Sequence, residues 1–260
     1  MSQWSANINV MMKAARIASR SLMRDFGEVE NLQVSRKGPG DFVSRADTRA
    51  EETIREILTE ARPNYGFLAE ESNELIGEDP TRRWIVDPLD GTTNFLHGLP
   101  HWAISIALEH KGEIVAGVVF NPTGEEMFVA EKGNGAWLND RRIRVSQRRD
   151  WNECLFATGL PFGAREDLPE TLKDLSKLLP GSAGVRRLGA ASLDLAYVAA
   201  GRFDGFWERQ LHYWDIAAGL ILIKEAGGFV EPLIAGDALE NGLVTANAEL
   251  FSTFKKRLID

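Results

Sequence analysis

Apolar residues near the start of the chain recur at helical spacing: Ile8, Met11, Met12, Ala15 and Ala18. This pattern predicts a helix over about 7–26 with the methionines in its core face. Residues 29–35 read as a strand and Gly38-Pro39-Gly40 as a mobile loop. Ala50, Ile54, Ile57 and Leu58 fall on one face of a helix over 47–60, and 66–69 lead into an acidic pair. Trp84-Ile85-Val86 is a buried strand ending at Asp87, Asp87-Pro88-Leu89-Asp90 turns, and Gly91-Thr92-Thr93-Asn94 opens a helix. Strands follow at 103–109, 113–120 and 126–131, joined by turns at Lys111-Gly112 and Pro122-Thr123-Gly124. That meander makes the first half α+β with an antiparallel sheet. The second half alternates: strand 155–157, helix 169–179, strand 184–188, helix 191–200, strand 204–208 and a helix that Asp215 caps, ending near Gly227-Gly228. Such alternation reads as an α/β half with a mixed sheet. The boundary falls near 144–151, giving an N-terminal domain of 1–146 and a C-terminal domain of 147–260, with no internal repeat.

Bulk properties narrow the function. The chain has 260 residues, 44% hydrophobic and 26% charged, enough for a large core. A formal net charge of −8 disfavours a general nucleic-acid binder. Cys154 is the single cysteine, which excludes an intrachain disulfide and fits a reducing compartment; it reads as core. No apolar run approaches the ~20 residues needed to span a bilayer. The N-terminal segment has helical periodicity rather than the continuous apolar stretch of a signal peptide. Together these lead us to expect a cytoplasmic protein.

The chemistry concentrates in two neighbouring segments. Ala69-Glu70-Glu71-Ser72 and the run from Trp84 to Asn94 place Glu70, Glu71, Asp87 and Asp90 around Gly91, Thr92 and Thr93. Carboxylates this close repel one another unless a cation lies between them, and hard oxygen ligands suit Mg²⁺ or Mn²⁺. A helix start with small residues offers backbone N–H groups to an anion. A third acidic station, Trp214-Asp215-Ile216-Ala217-Ala218-Gly219, lies far downstream; helix capping alone also explains Asp215.

Taken in order, Glu70-Glu71, Asp87-Pro-Leu-Asp90-Gly-Thr, Trp214-Asp215-Ile-Ala-Ala-Gly and Glu225-Ala-Gly-Gly resemble the inositol monophosphatase family of metal-dependent, lithium-sensitive sugar phosphatases, from about Lys37 to Gly228. The resemblance implies a layered αβαβα fold and a homodimer. It implies an enzyme that hydrolyses inositol monophosphate, or a similar small polyol or sugar phosphate, by in-line attack of a metal-activated water. Two or three Mg²⁺ ions, with Mn²⁺ as a substitute, would take part. By the family's motif, Glu70, Asp87 and the Leu89 carbonyl hold one ion, and Asp87, Asp90 and Asp215 a second. Gly91 and Thr92 receive the phosphate. The Thr92 hydroxyl contacts the water, Asp47 polarises Thr92, and Glu70 and Glu71 shape the water's surroundings. Asp90, Asp215, Glu208, Gly189 and Ala191 contact substrate. Asp47 also reads as a helix cap and Glu208 as a solvated loop charge.

The chain departs from the family at Ala69, where many relatives have glycine, and at the loop lysine, which corresponds to Lys37 with Arg36 beside it. His212 reads as a second-row or packing residue, because Mg²⁺ prefers oxygen, and His97 and His101 as structural. Other substrates for the same chemistry are fructose-1,6-bisphosphate, histidinol phosphate and a 3′-phosphonucleotide. Arg186 and Arg187 could meet a second phosphate. Arg141, Arg142, Arg144, Arg148 and Arg149 read as a solvated strand edge, or as a patch for RNA in a regulatory, non-catalytic role.

Overall fold

The computed structural model describes residues 4–28, 34–38, 41–161 and 168–259. The chain begins with α1 (Ala6–Phe26), whose N-cap Ser5 accepts a hydrogen bond from the Ile8 amide and whose buried face carries Ile8, Met11, Ala15 and Ala18 as expected. A hairpin of β1 (Val34–Gly38) and β2 (Asp41–Ser44) follows. The strand read at 29–35 and the loop read at 38–40 lie partly outside the described residues. The part that is described starts later, at Val34, and is paired with a strand the sequence reading lacked.

Helix α2 (Arg45–Ala61) leads to β3 (Tyr65–Ala69) and β4 (Asp79–Asp90). Here the structure corrects the reading at Asp87. The strand does not stop there but runs twelve residues to Asp90. Its pairing with β5 (Ala103–His110) holds at Asp87 opposite Ser105 and resumes at Asp90 opposite Ala103, with the irregularity at Pro88 and Leu89. Pro88 has no N–H to give the ladder, so a slip in register at that point keeps both aspartates on the strand.

The short α3 (Thr92–Leu96) is followed by β5, β6 (Glu113–Asn121), β7 (Glu126–Glu131), β8 (Gly135–Leu138) and β9 (Arg141–Ile143). Strands β3 to β9 form one seven-stranded sheet in sequence order, antiparallel except for the parallel β3–β4 pair.

The second half contains β10 (Leu155–Thr158), α4 (Leu168–Leu178), β11 (Gly184–Arg186), α5 (Ala191–Ala199), β12 (Gly205–Glu208), α6 (Tyr213–Glu225), β13 (Phe229–Pro232), β14 (Leu243–Ala246) and α7 (Ala248–Ile259). Its five-stranded sheet runs β11-β10-β12-β14-β13, parallel on the β11, β10, β12 side and antiparallel around β14. Strands β13 and β14 and helix α7 were not expected.

The layers stack as αβαβα. Helices α1 and α2 cover one face of the large sheet, α5 and α6 fill the space between the sheets, and α4 and α7 close the outer face of the small sheet. Residues Ile216–Ile223 of α6 are buried all round its circumference, as a helix sandwiched between layers requires. The proposed division at 146/147 falls between the last strand of one sheet and the first of the other. The central apolar cluster nevertheless joins Ile85, Ala107, Val119 and Phe128 to Leu193, Phe206 and Ile221 across it.

Candidate active site

Strand β4 delivers Asp87 and Asp90 to a cavity of ≈ 380 Å³ between the two sheets. Its wall takes Glu70 from the end of β3, Leu89, Gly91 and Thr92 from the β4–α3 junction, Gly189 and Ala191 from the start of α5, Glu208 from the end of β12 and Asp215 from the first turn of α6. All of these were named from the sequence, and the cavity brings them together. Asp47 and Glu71 are not on the wall. Asp47 is fully buried behind it and accepts a hydrogen bond from Thr92 Oγ1 at 2.9 Å. The Glu71 amide donates to Glu51 Oε2 at 2.8 Å.

Gly91 caps α3 with φ +93°, a left-handed conformation that a side chain would strain. An added Cβ would also stand 3.1 Å from the His101 carbonyl. Helix α3 has only five residues, so its pull on an anion comes from the free amides of its first turn rather than from a long dipole. The Thr92 hydroxyl lies 2.9 Å from Asp47 Oδ1 and 3.0 Å from the Leu89 carbonyl, so one proton serves two acceptors. Asn94 ties this corner to the other half: its amide donates to the His101 and Leu188 carbonyls, both at 2.8 Å.

The carboxylates press on one another. Burial pushes the Asp87 carboxyl well above the usual range, and Glu70, Asp90 and Asp215 push it the same way. Burial raises Asp90 too, against the bonds it accepts from the Ser192 amide at 2.7 Å and hydroxyl at 2.6 Å. Each aspartate is turned toward a local donor: Asp87 to the Leu89 amide at 2.9 Å, Asp90 to Ser192, Asp215 to the His212 amide at 2.8 Å. The donor set is all oxygen and anionic, and the repulsion at Asp87 is what a hard divalent cation relieves.

Asp215 corrects another expectation. It is not the N-cap of α6 but its third residue; His212 is the cap, and the two form a reciprocal capping box. His212 is stacked on Trp214 with ring centroids 4.7 Å apart, and both line the cavity. Cys154 is buried, and burial pushes its thiol up to about 12, as a core cysteine.

Gly159 and Asp194, both on the wall, were missed. Gly159 lies directly under Glu208: a Cβ there would fall 1.8 Å from Glu208 Oε1, so its lack of a side chain seats that carboxylate. The TG dipeptide after β10 was its only signal. Asp194, in the first turn of α5, is 1% exposed, with Oδ1 3.7 Å from His101 Nε2, and burial raises it to about 6. Of the two arginines read as candidates for a second phosphate, Arg187 lines the cavity and Arg186 does not.

An oxygen-rich anionic cavity bordered by the free amides of a helix start suits a hard divalent cation beside a phosphate group. The chain is a member of the inositol monophosphatase family, whose model matches residues 3–258. It is 57% identical over 246 residues to the inositol-1-monophosphatase of Rhizobium meliloti (strain 1021), covering 94% of this chain and 92% of the relative. It is 43% identical over 250 residues to the Nus factor SuhB of Pseudomonas aeruginosa, covering 94% and 92%. The crystal structure of the extragenic suppressor protein suhB from Bartonella henselae superposes with a TM-score of 0.95 at 53% identity, covering 98% of each chain.

Proposed function

We propose that this chain is a Mg²⁺-dependent phosphomonoesterase that hydrolyses inositol monophosphate to inositol and phosphate. One observation carries the reading: Glu70, Asp87, Asp90 and Asp215, from distant stretches of chain, line the same cavity as Gly91 and Thr92. The family name of the Rhizobium meliloti relative supports the substrate. Glu70, Asp87 and the Leu89 carbonyl would hold one ion, and Asp87, Asp90 and Asp215 another. A third ion and replacement by Mn²⁺ are compatible with the same donors. Bound there, the ions supply positive charge against the phosphate and make water a better nucleophile at neutral pH.

The chain's own groups orient the reactants. The buried Asp47 draws the Thr92 hydroxyl proton toward itself, which leaves the Thr92 oxygen free to accept an O–H from the attacking water. The water's lone pair is thereby aimed at phosphorus. Glu70 borders that water, and Glu71 holds the loop that carries Glu70. The Gly91 and Thr92 amides face the phosphate. Glu208 accepts hydrogen bonds from ring hydroxyls, while Gly189 and Ala191 leave room for the ring.

Phosphate release from a panel of monoesters, with and without Mg²⁺, tests this directly. Inositol monophosphate should lead fructose-1,6-bisphosphate, histidinol phosphate and a 3′-phosphonucleotide; turnover that is indifferent to Mg²⁺ would refute the reading. LiCl should inhibit at an ionic strength where NaCl does not. Light scattering should give the mass of a homodimer, and fractionation should place the protein in the cytoplasm. Among the described residues no helix is long and apolar enough to cross a membrane. Within the arginine run, Arg148 pairs with Asp204 at 3.0 Å and Arg149 faces Glu249 at 3.8 Å.

A further inference from the structure

Helix α2 buries two carboxylates one turn apart. Asp47 is 0% and Glu51 3% exposed, on the same face as Ala46, Ala50, Ile54 and Leu58. An apolar residue would be cheaper at a helix face packed on a sheet, and a buried ion pair is weak evidence for stability. Glu51 is nevertheless fully engaged. Its Oε2 accepts the Glu71 amide at 2.8 Å, and its Oε1 accepts from Arg55 Nη2 at 3.1 Å, one further turn along the helix. Arg55 in turn reaches the Ser72 hydroxyl, and its guanidinium lies over the Phe67 ring at 4.8 Å. So Asp47, Glu51 and Arg55 form a single i, i+4, i+8 ridge. The ridge touches, in order, the hydroxyl of Thr92, the amide of Glu71 and the side chain of Ser72.

We propose that Glu51 is a positioning residue: by gripping the Glu71 amide it fixes the direction of the Glu70 carboxylate and sets its register against Thr92 through the rigid turn of α2. This rests on the reading of Glu70 as a cation ligand. The role needs an acceptor oxygen at the right reach, not a negative charge as such. Glu51→Asp keeps the charge and the burial but withdraws the oxygen by one methylene. Glu51→Gln keeps an oxygen at full reach and gives up the charge.

The test is direct titration of the purified full-length protein with Mn²⁺, read by the loss of the free-ion electron paramagnetic resonance signal. Thermal melts accompany it to identify folded variants. Glu51→Asp should weaken Mn²⁺ binding about 10-fold or more, the scale on which outer supports of metal ligands act. Glu51→Gln should stay within about threefold of wild type on the same scale. In turnover assays Glu51→Asp should raise the Mg²⁺ needed for half-maximal rate more than it lowers the rate at saturating Mg²⁺. Wild-type affinity in Glu51→Asp, or a Glu51→Gln protein as weak as Glu51→Asp, overturns the inference alone. A wild-type protein that takes up no Mn²⁺ overturns the metal-site reading and this inference with it.

Discussion

The two walls of the cavity are built in opposite ways. On the N-terminal side, one continuous piece of structure, the end of β3 and the strand β4 that pairs with it, presents Glu70, Asp87 and Asp90, with α2 bracing it from behind. On the C-terminal side, Gly159, Gly189, Glu208 and Asp215 come from three separate connections: after β10, before α5 and between β12 and α6. The first wall is rigid and dense in charge, which suits holding ions. The second is assembled from small residues and isolated acceptors, which suits fitting a ring. This division of labour makes distinct demands on each side, and substitutions can separate them.

The largest effect is expected where the two walls must meet. Asp90→Asn and Asp215→Asn each remove a charge from the same ion's surroundings, one from each wall. Both should cut turnover by more than about 100-fold, beyond the loss typical of outer supports, with melting temperature unchanged or raised because repulsion is relieved. An asparagine at 215 still offers an oxygen to the His212 amide, so α6 should keep its start. Near-normal activity in either variant would break the assignment.

Next in size comes a change confined to the second wall. Gly159→Ala should fold, since the atoms it meets are the mobile end of Glu208, but should displace that carboxylate. KM should rise about 10-fold, the loss of a charge-assisted hydrogen bond, with kcat changed little and Mn²⁺ affinity unchanged. Altered Mn²⁺ affinity would erase the distinction between the walls.

A smaller effect is expected on stability alone. Burial raises Asp194 to about 6, so the folded protein binds its proton more tightly than the unfolded chain does. That contribution is present at low pH and is lost as pH rises through about 6. Asp194→Asn in EDTA should therefore melt higher than wild type at pH 8, by no more than roughly 3 kcal/mol. The gain should shrink as pH falls and vanish below the ordinary carboxyl value of 3.8. Equal melting differences at both ends of that range would place the cause elsewhere. The smallest effect belongs to Arg149→Ala. Its partner lies at 3.8 Å and both side chains are exposed, so stability should move by less than about 0.5 kcal/mol and turnover not at all. A measurable loss of activity would revive a role for the arginine run.

The same contrast explains what the sequence could reveal. The acidic stations of β4 were legible because charge density on so short a stretch has few structural explanations. Asp215 was legible only through its order in the series of motifs, since a lone aspartate at a helix start is ordinary capping. Its position at the third residue of α6, rather than the cap, depended on His212 taking the extended cap conformation, which no propensity distinguishes. The strand's continuation through Pro88 was hidden because a proline beside two aspartates reads as a turn; pairing with β5 on both sides of the slip overrode that local signal. Gly159 and Asp194 gave no usable pattern, because what they do depends on which distant side chain lies against them. Strands β13 and β14 follow a glycine pair and a loop rich in small residues, where periodicity is short and weak.

Helix α6, apolar on every side, has a consequence for the protein's birth. While the first 146 residues leave the ribosome, the face of the large sheet that α5 and α6 will cover has nothing to rest against, and the cavity lacks half its lining. The cavity is complete only once the final third of the polypeptide has set Glu208, Asp215 and the apolar α6 against the large sheet. A shortened version ending at the inter-sheet junction should accumulate as aggregate rather than as a half-enzyme.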